Sequence, residues 1–347
     1  MKSFQVTEFG KPLELKVYEI PIPKNHELLV RIMACGVCHS DLHLTDGFFN
    51  LGNGKKITLA DRGTKLPFTP GHEITGEVIS VGEKVKNVNV GDKGIVFPWI
   101  GCQACDACKK GNETLCEAPK YLGARLNGGY STHILVPHER YLVPYGKLNP
   151  FQAAPYACSG LTAYSALNKI PKISNDEFIV VIGAGGVGTN GILLSPYIHD
   201  AQIIAVDTDP VKRDIAIING AKHCFAPEEM LEKLNQFNSK IAGVIDFVGN
   251  EKTSNLALTI IKKGGTIVIV GLYGGSLPIS LPLIPMRSIN IRGSYVGELR
   301  ELKELVELIN SKNVELIKVT KQKLNTANDA MKKLRNGDVD GRIVLEP

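Results

Sequence analysis

Four cysteines, Cys102, Cys105, Cys108 and Cys116, stand close together in the stretch GCQACDACKKGNETLC. The spacing C-x2-C-x2-C-x7-C lets the short turns of one loop present four thiolates to one ion. Thiolates suit zinc, which takes four donors about 2.3 Å away in a tetrahedron. Four sulfurs close that shell, so a zinc held here shapes the chain and leaves no position for a substrate. The reaction has to be sought elsewhere. A zinc-ribbon contact with nucleic acid is disfavoured, because the loop carries only Lys109 and Lys110 as basic residues, a thin electrostatic footprint.

A second motif, GAGGVG, places Gly183, Gly185 and Gly188 in a G-x-G-x-x-G frame that also contains Gly186 and Val187. It follows the apolar run EFIVVIG and opens a helical stretch to about residue 199, the context that gives the pattern meaning. Gly183 allows a tight turn, Gly185 lets backbone approach a pyrophosphate, and Gly188 permits close helix–strand packing. The helix N-terminus adds free N–H groups for the phosphates. Asp207 ends the next strand, QIIAVD, near the roughly 20-residue offset of an acid that binds the adenosine ribose hydroxyls. A carboxylate there repels a 2′-phosphate, which favours NAD over NADP. Asp209 competes for the same role.

Three further donors lie apart: Cys38 in ACGVCHSDLH, His72 in GHE and Cys158 in ACSG, separated by 34 and 86 residues. Their spacing alone does not assemble them; from the residues alone, two core cysteines and a satisfied histidine are the favoured reading. Cys35, Cys224 and His223 read as structural.

The elements that must position these residues divide the chain. With 347 residues it suits two domains. Up to about residue 150 the sequence reads as strands and turns, with β-rich runs in HELLVRIMACGVC and HEITGEVISVGEKV. From about residue 175 strands and helices alternate through EFIVVIG, QIIAVD, GVIDFVG, a helix over 251–263, and GTIVIVG. That alternation is the signature of βαβ units around a parallel sheet, an α/β class. Leu299, Leu302, Val306 and Ile309 fall at helical spacing and predict a buried stripe; GRIVLEP at the C-terminus reads as a strand.

Hydrophobic residues make up 44% and charged residues 22% of the chain, the balance of a globular protein. A net charge of +5 over this length requires no polyanionic partner. The opening MKSFQVTEFG lacks the apolar core of a secretion signal and no run reaches the length of a membrane span. A cytoplasmic location without membrane partners is therefore expected, where clustered cysteines more often mean metal than disulfide.

Taken together, GVCHSDLH, GHE, the four-cysteine loop and GAGGVG occur in the order and spacing of zinc-dependent alcohol dehydrogenases of the medium-chain dehydrogenase/reductase family, which the whole chain resembles. LPFTPGHEI and VPHERY are most similar to archaeal, tetrameric members. The resemblance implies a GroES-like β-rich catalytic domain over 1–155, completed by 296–347, and a doubly wound Rossmann NAD-binding domain over 156–295. It implies two zinc ions per chain, a structural one on the four-cysteine loop and a catalytic one on Cys38, His72 and Cys158. Glu73 then matches the acidic neighbour of the metal, and Asp41 the carboxylate that orients His72. Ser40 matches the hydroxyl that takes the alcohol proton, and His43 the histidine that passes it to solvent. His39 and Arg342 match pyrophosphate contacts, and Lys212 the basic residue at the adenosine ribose. Thr162, Val187 and Val270 fall near the nicotinamide. Phe48, Phe49, Trp99, Tyr121 and Leu272 are expected to wall the substrate site for an alcohol, aldehyde or ketone. The alternatives are a polyol or sugar dehydrogenase of the same family, and a non-catalytic NAD-binding zinc protein. No path is expected for the glycine- and charge-rich stretch from Thr45 to Lys65.

Overall fold

A computed structural model describes residues 1–237 and 239–347. Six strands form one parallel sheet in the order His223–Phe225, Gln202–Val206, Phe178–Ile182, Ile241–Asp246, Thr266–Ile269 and Asn290–Gly293. Numbered along the chain this is 3-2-1-4-5-6, the doubly wound order in which ligands bind where the winding reverses. The reversal lies between Phe178–Ile182 and Ile241–Asp246. All six residues of Ile241–Asp246 are buried, because helices cover both faces of a parallel sheet and leave no solvent side for alternation.

The second sheet has seven strands and is mostly antiparallel. Its centre is Leu28–Gly36 against Glu73–Val81, and the C-terminal strand Arg342–Glu346 joins it through Val344 opposite Gly36 and Leu345 opposite Cys35. Chain from the far terminus therefore lies beside the strand that leads into Cys38. A mostly antiparallel β-rich unit and a doubly wound parallel sheet are thus both present, as the resemblance implies.

Two elements differ in extent from their sequence patterns. The helix expected over 251–263 is Glu251–Ile260; Ile261 is extended and Gly264 turns the chain at φ 74°. The helix after the glycine turn is Gly186–Leu194, followed by a 3₁₀ turn at Ser195–Tyr197, where Pro196 lacks the N–H that an α-helix needs. The stretch without an expected path contains a hairpin, Phe48–Gly52 paired with Lys55–Thr58. Asn53 and Gly54 turn it with φ of 51° and 73°, the left-handed pair of a two-residue hairpin loop. That Asn-Gly pair was a legible signal.

The amphipathic helix Leu299–Lys312 buries Leu302, Leu305, Val306 and Ile309, with Leu299 only half-buried. Leu305 completes the i, i+3, i+4 stripe and has no solvent exposure. Leu305→Ala should cost about 2–5 kcal/mol through lost burial and the cavity left behind, and Leu299→Ala distinctly less. Denaturant unfolding of the two variants measures the difference.

Candidate active site and metal centres

The strand Leu28–Gly36 ends beside the turn at Cys38, which caps the helix His39–Asp46. Asp41 on that helix has no solvent exposure. Its Oδ2 accepts the Cys38 N–H at 2.9 Å and the Tyr130 hydroxyl at 3.1 Å. Its Oδ1 accepts the Gly71 N–H at 3.1 Å and stands 3.1 Å from His72 Nδ1. One carboxylate therefore fixes both Cys38 and His72. With Nδ1 held, Nε2 of His72 is the free donor, and it is buried with no hydrogen-bond partner.

Cys158 arrives from the short helical turns before Ser159–Asn168. The donor atoms of Cys38, His72 and Cys158 all lie within 4.8 Å of one another, and all three residues are buried. The two sulfurs are 4.0 Å apart, far beyond the ~2.05 Å of a disulfide and close to the roughly 3.8 Å that tetrahedral zinc–thiolate bonds dictate. Two thiols, an orphaned imidazole nitrogen and this spacing fit a zinc ion. Burial alone would push the His72 pKa down, but the Asp41 carboxylate and the Cys38 sulfur more than offset it and raise it well above the ordinary value. A metal ion has to displace that proton, since the ligand form is neutral.

Glu73, next to His72, is equally buried. Its Oε1 accepts the Ser159 N–H at 3.1 Å and pairs with Arg342 Nη2 at 2.5 Å. A Cβ on Gly36 would fall 1.9 Å from Glu73 Oε2, so only glycine leaves room for the carboxylate. Arg342 also packs on the glycine turn: a Cβ on Gly186 would meet its Cδ at 2.6 Å. Its Nε is buried without a partner. Arg342 thus lies between the metal's neighbour and the turn, a pairing with Glu73 that the sequence did not disclose.

At the turn itself, Gly183 has φ 89° and a Cβ on Gly188 would sit 1.8 Å from the Gly183 carbonyl oxygen. Asp207 Oδ2 accepts the Ala184 N–H at 2.8 Å, and Oδ1 accepts the Asp209 N–H at 2.9 Å. Its competitor Asp209 is engaged as the N-cap of Pro210–Ile218, accepting the Val211 N–H at 2.9 Å. Lys212 Nζ lies 3.8 Å from Asp209 rather than pairing with Asp207. Thr162 is buried on Ser159–Asn168, Val187 and Val270 are half-buried, and the backbone N–H of Val270 bonds the Asp246 carbonyl. His39 is exposed, whereas Ser40 and His43 are half-buried on the same helix. Burial lowers the His43 pKa below its ordinary value, although Asp46 opposes the shift.

The other cysteines converge as well. Cys102 and Cys108 sulfurs are 4.0 Å apart, Cys105 and Cys108 3.4 Å, and Cys105 and Cys116 3.9 Å. N–H groups of Ala104 and Cys105 point at Cys102 Sγ and lower its pKa to about 6, as suits a thiolate ligand. Two carboxylates brace this loop. Glu113 accepts from Gly101 N–H, Tyr141 hydroxyl and Arg140. Glu298, at the start of Leu299–Lys312, accepts from the Glu113 and Thr114 N–H groups.

A cavity of about 940 Å³ lies between the loop and the parallel sheet, and Phe49, Tyr121 and Leu272 line it. Trp99 stands behind this lining, 5.2 Å from the His72 ring and 5.5 Å from Tyr121, with its indole N–H on the Ala157 carbonyl. Phe48 does not line the cavity: its ring lies under Lys56, whose Nζ is 4.0 Å from the ring centroid. Tyr295 lines the cavity too and packs 6.0 Å from Trp99. It lies in RGSYVG after the last parallel strand, and no local pattern set it apart from a core tyrosine. Arg62, Arg125, Asn250 and Ser254 are further lining residues that sequence reasoning missed.

Residues 24–147 match the family described as Alcohol dehydrogenase GroES-like domain, and residues 186–311 match Zinc-binding dehydrogenase. The chain is 36% identical to an NAD-dependent alcohol dehydrogenase of Sulfurisphaera tokodaii over the full length of both. It is 30% identical to a D-arabinose 1-dehydrogenase (NADP(+)) of Saccharolobus solfataricus, covering 100% of this chain and 97% of the relative. The crystal structure of the alcohol dehydrogenase of Aeropyrum pernix superposes over the full length of both chains with a TM-score of 0.90 at 29% identity. Matching domains on both sides of the cleft, over a fold shared from end to end, make this chain a member of the zinc-binding, medium-chain alcohol dehydrogenase family.

Proposed function

We propose that this chain is a zinc- and NAD-dependent alcohol dehydrogenase that interconverts primary or secondary alcohols with aldehydes or ketones. The observation that carries this reading is the convergence of Cys38, His72 and Cys158, distant in sequence, within 4.8 Å of one another. Three donors leave a fourth position for a substrate oxygen, as catalytic zinc sites do. When bound, zinc supplies Lewis acidity toward that oxygen and NAD supplies the hydride acceptor.

The chain's own residues would do the rest. Asp41 holds His72 Nδ1 so that Nε2 faces the metal position. Glu73 balances Arg342 beside it. Ser40 takes the alcohol proton, and His43, kept neutral by its lowered pKa, passes it toward solvent. The glycine turn, with Gly183, Gly185, Gly186 and Gly188, would cradle the pyrophosphate together with His39 and Arg342. Asp207 and Lys212 would hold the adenosine ribose, and Thr162, Val187 and Val270 would border the nicotinamide. Phe49, Tyr121 and Leu272 would wall the substrate, with Trp99 behind them.

The second zinc belongs to Cys102, Cys105, Cys108 and Cys116, where four sulfurs leave no open position. Domain boundaries at 1–155 with 296–347 and at 156–295 agree with the two sheets. A homotetramer is proposed from the resemblance; the exposed edge strand Asn290–Gly293 offers a second copy an edge to pair with. Among the described residues no helix is long and apolar enough to cross a membrane. The reading places the protein in the cytoplasm with an alcohol, aldehyde or ketone as its small-molecule partner. Cysteine at 158 and the complete four-cysteine loop oppose the polyol or sugar reading, whose enzymes commonly carry glutamate there. An intact set of metal donors and relay groups opposes a non-catalytic role.

A panel of primary, secondary, aromatic and polyol substrates, read by NADH absorbance, tests the activity; turnover of polyols alone would reject the alcohol reading. Elemental analysis should find two zinc ions per chain. Cys116→Ser should chiefly lower thermal stability, because structural zinc contributes folding free energy, and Cys38→Ser should chiefly abolish turnover.

NAD should be preferred over NADP. Asp207→Gly should narrow that preference by about one to two orders of magnitude in kcat/KM, since the carboxylate that repels the extra phosphate is gone.

Ser40→Ala should retain zinc and NAD binding while cutting turnover by at least ~10²-fold, the lower end of general acid–base contributions. In wild type, alcohol oxidation should fall as pH drops through the His43 pKa, which lies below the ordinary 6.5, because a protonated imidazole cannot accept a proton. His43→Ala should lose that acid limb, with a loss partly restored by imidazole buffer, as pH–rate profiles of the two proteins would show.

A further inference from the structure

The cavity that borders the site is apolar on one side only. From the metal position outward run the rings of Trp99, 5.2 Å from His72, and Tyr295, 6.0 Å from Trp99. Tyr121 stacks obliquely 6.2 Å from Tyr295. Lining the same cavity as Tyr121 and Tyr295 are two guanidinium groups, Arg62 and Arg125. Arg62 is near enough that its charge opposes the rise that burial imposes on the phenols of Tyr121 and Tyr295. Arg125 lies over the turn that follows Arg62: a Cβ on Gly63 would stand 3.1 Å from its Nη1. The two cations therefore share one rim of the cavity.

Neither has a partner. Among the described residues, no carboxylate comes within 4.0 Å of either guanidinium, and no side-chain hydrogen bond involves them. Glu117 and Glu251 also line the cavity but pair with neither arginine. Elsewhere in the chain, arginines that approach acids close on them, as Arg335 does on both oxygens of Asp46 at 2.9 and 2.7 Å. Tyr295, 46% exposed and lining the same space, offers a phenol with no hydrogen-bond partner among the described residues. Two unpaired forks and a free hydroxyl beside a pair of aromatic rings match a carboxylate, which arginine binds in bidentate fashion.

We infer that Arg62 and Arg125 form an anion subsite, and that the substrate is an alcohol or aldehyde carrying a carboxylate at the end remote from the reacting carbon. The inference rests on the dehydrogenase reading above and names its substrate class. Its methylene chain lies along Tyr121 and Tyr295, with Trp99 behind them, and the carboxylate closes on the arginines. Binding energy gained there, far from the reacting atoms, can be used to orient the carbinol carbon.

The test compares unbranched ω-hydroxy acids of about four to ten carbons with 1-alkanols of equal carbon number, at low and high ionic strength. The readout is the ratio of kcat/KM for the acid to that for the alkanol. At one chain length or more, the wild-type ratio should exceed one and fall as salt is added, since salt screens the arginines. Arg62→Ala should lower the ratio about 10- to 100-fold, the range for a charge-assisted hydrogen bond. Arg62→Lys should recover part of it, and Arg125→Ala should lower it in the same direction. Both arginines are exposed, so folding is not at stake. A ratio below one at every length, or one that Arg62→Ala leaves unchanged, overturns the inference while alkanol turnover keeps the dehydrogenase reading intact. A protein that oxidises neither series, and reduces none of the matching aldehydes, overturns both.

Discussion

A carboxylate with no access to water must find its partners inside the protein, and Asp41 does so on every side. The Cys38 N–H, the Gly71 N–H, the Tyr130 hydroxyl and the His72 ring converge on its two oxygens. Desolvating an ion costs several kcal/mol, so a partly matched carboxylate would not persist here. Because its partners come from the strand exit, the GHE turn and the chain near residue 130, this one group fixes where three segments meet. Cys38 and His72, both held by it, are brought together as a consequence of satisfying it. Cys158 then needs only the packing of the turn before Ser159–Asn168 to reach them.

A second buried ion pair joins that centre to the nucleotide turn. Glu73 and Arg342 are almost fully enclosed, and Arg342 presses on Gly186. The arginine comes from the C-terminal strand, whose place is set by backbone pairing with Leu28–Gly36. Sheet registry, rather than any local pattern, thus delivers a positive charge between Glu73 and the glycine turn. Single glycines make this approach feasible, since side chains at Gly36 or Gly186 would occupy the space of the pair.

The four-cysteine loop shows a different division of labour. Its sulfurs are brought together by short-range turns, but its placement depends on Glu113 and Glu298, which hold it to Tyr141 and to the helix Leu299–Lys312. Thr114 and Cys116 consequently border the cavity. A loop that contributes no open coordination position still helps to shape the space in which a substrate would lie.

The sequence by itself determined whatever depends on residues close together in the chain. Cys102 to Cys116 form their cluster through local turns, and Gly183 and Gly188 set a turn that side chains at those two positions would block. The alternation of apolar strands and helices announced the parallel sheet. Asn53–Gly54 announced its hairpin too, had the pair been weighed. Cys38, His72 and Cys158 were different: across gaps of 34 and 86 residues no periodicity links them, and only the resemblance to a family joined them in advance. Tertiary structure alone decided the Glu73–Arg342 pair, the absence of Phe48 from the cavity lining, and the placing of Tyr295, Arg62 and Arg125 around that cavity. Each depends on which face of a strand or turn meets another segment far along the chain. That is fixed by packing and sheet register, for which a single sequence carries no local signal.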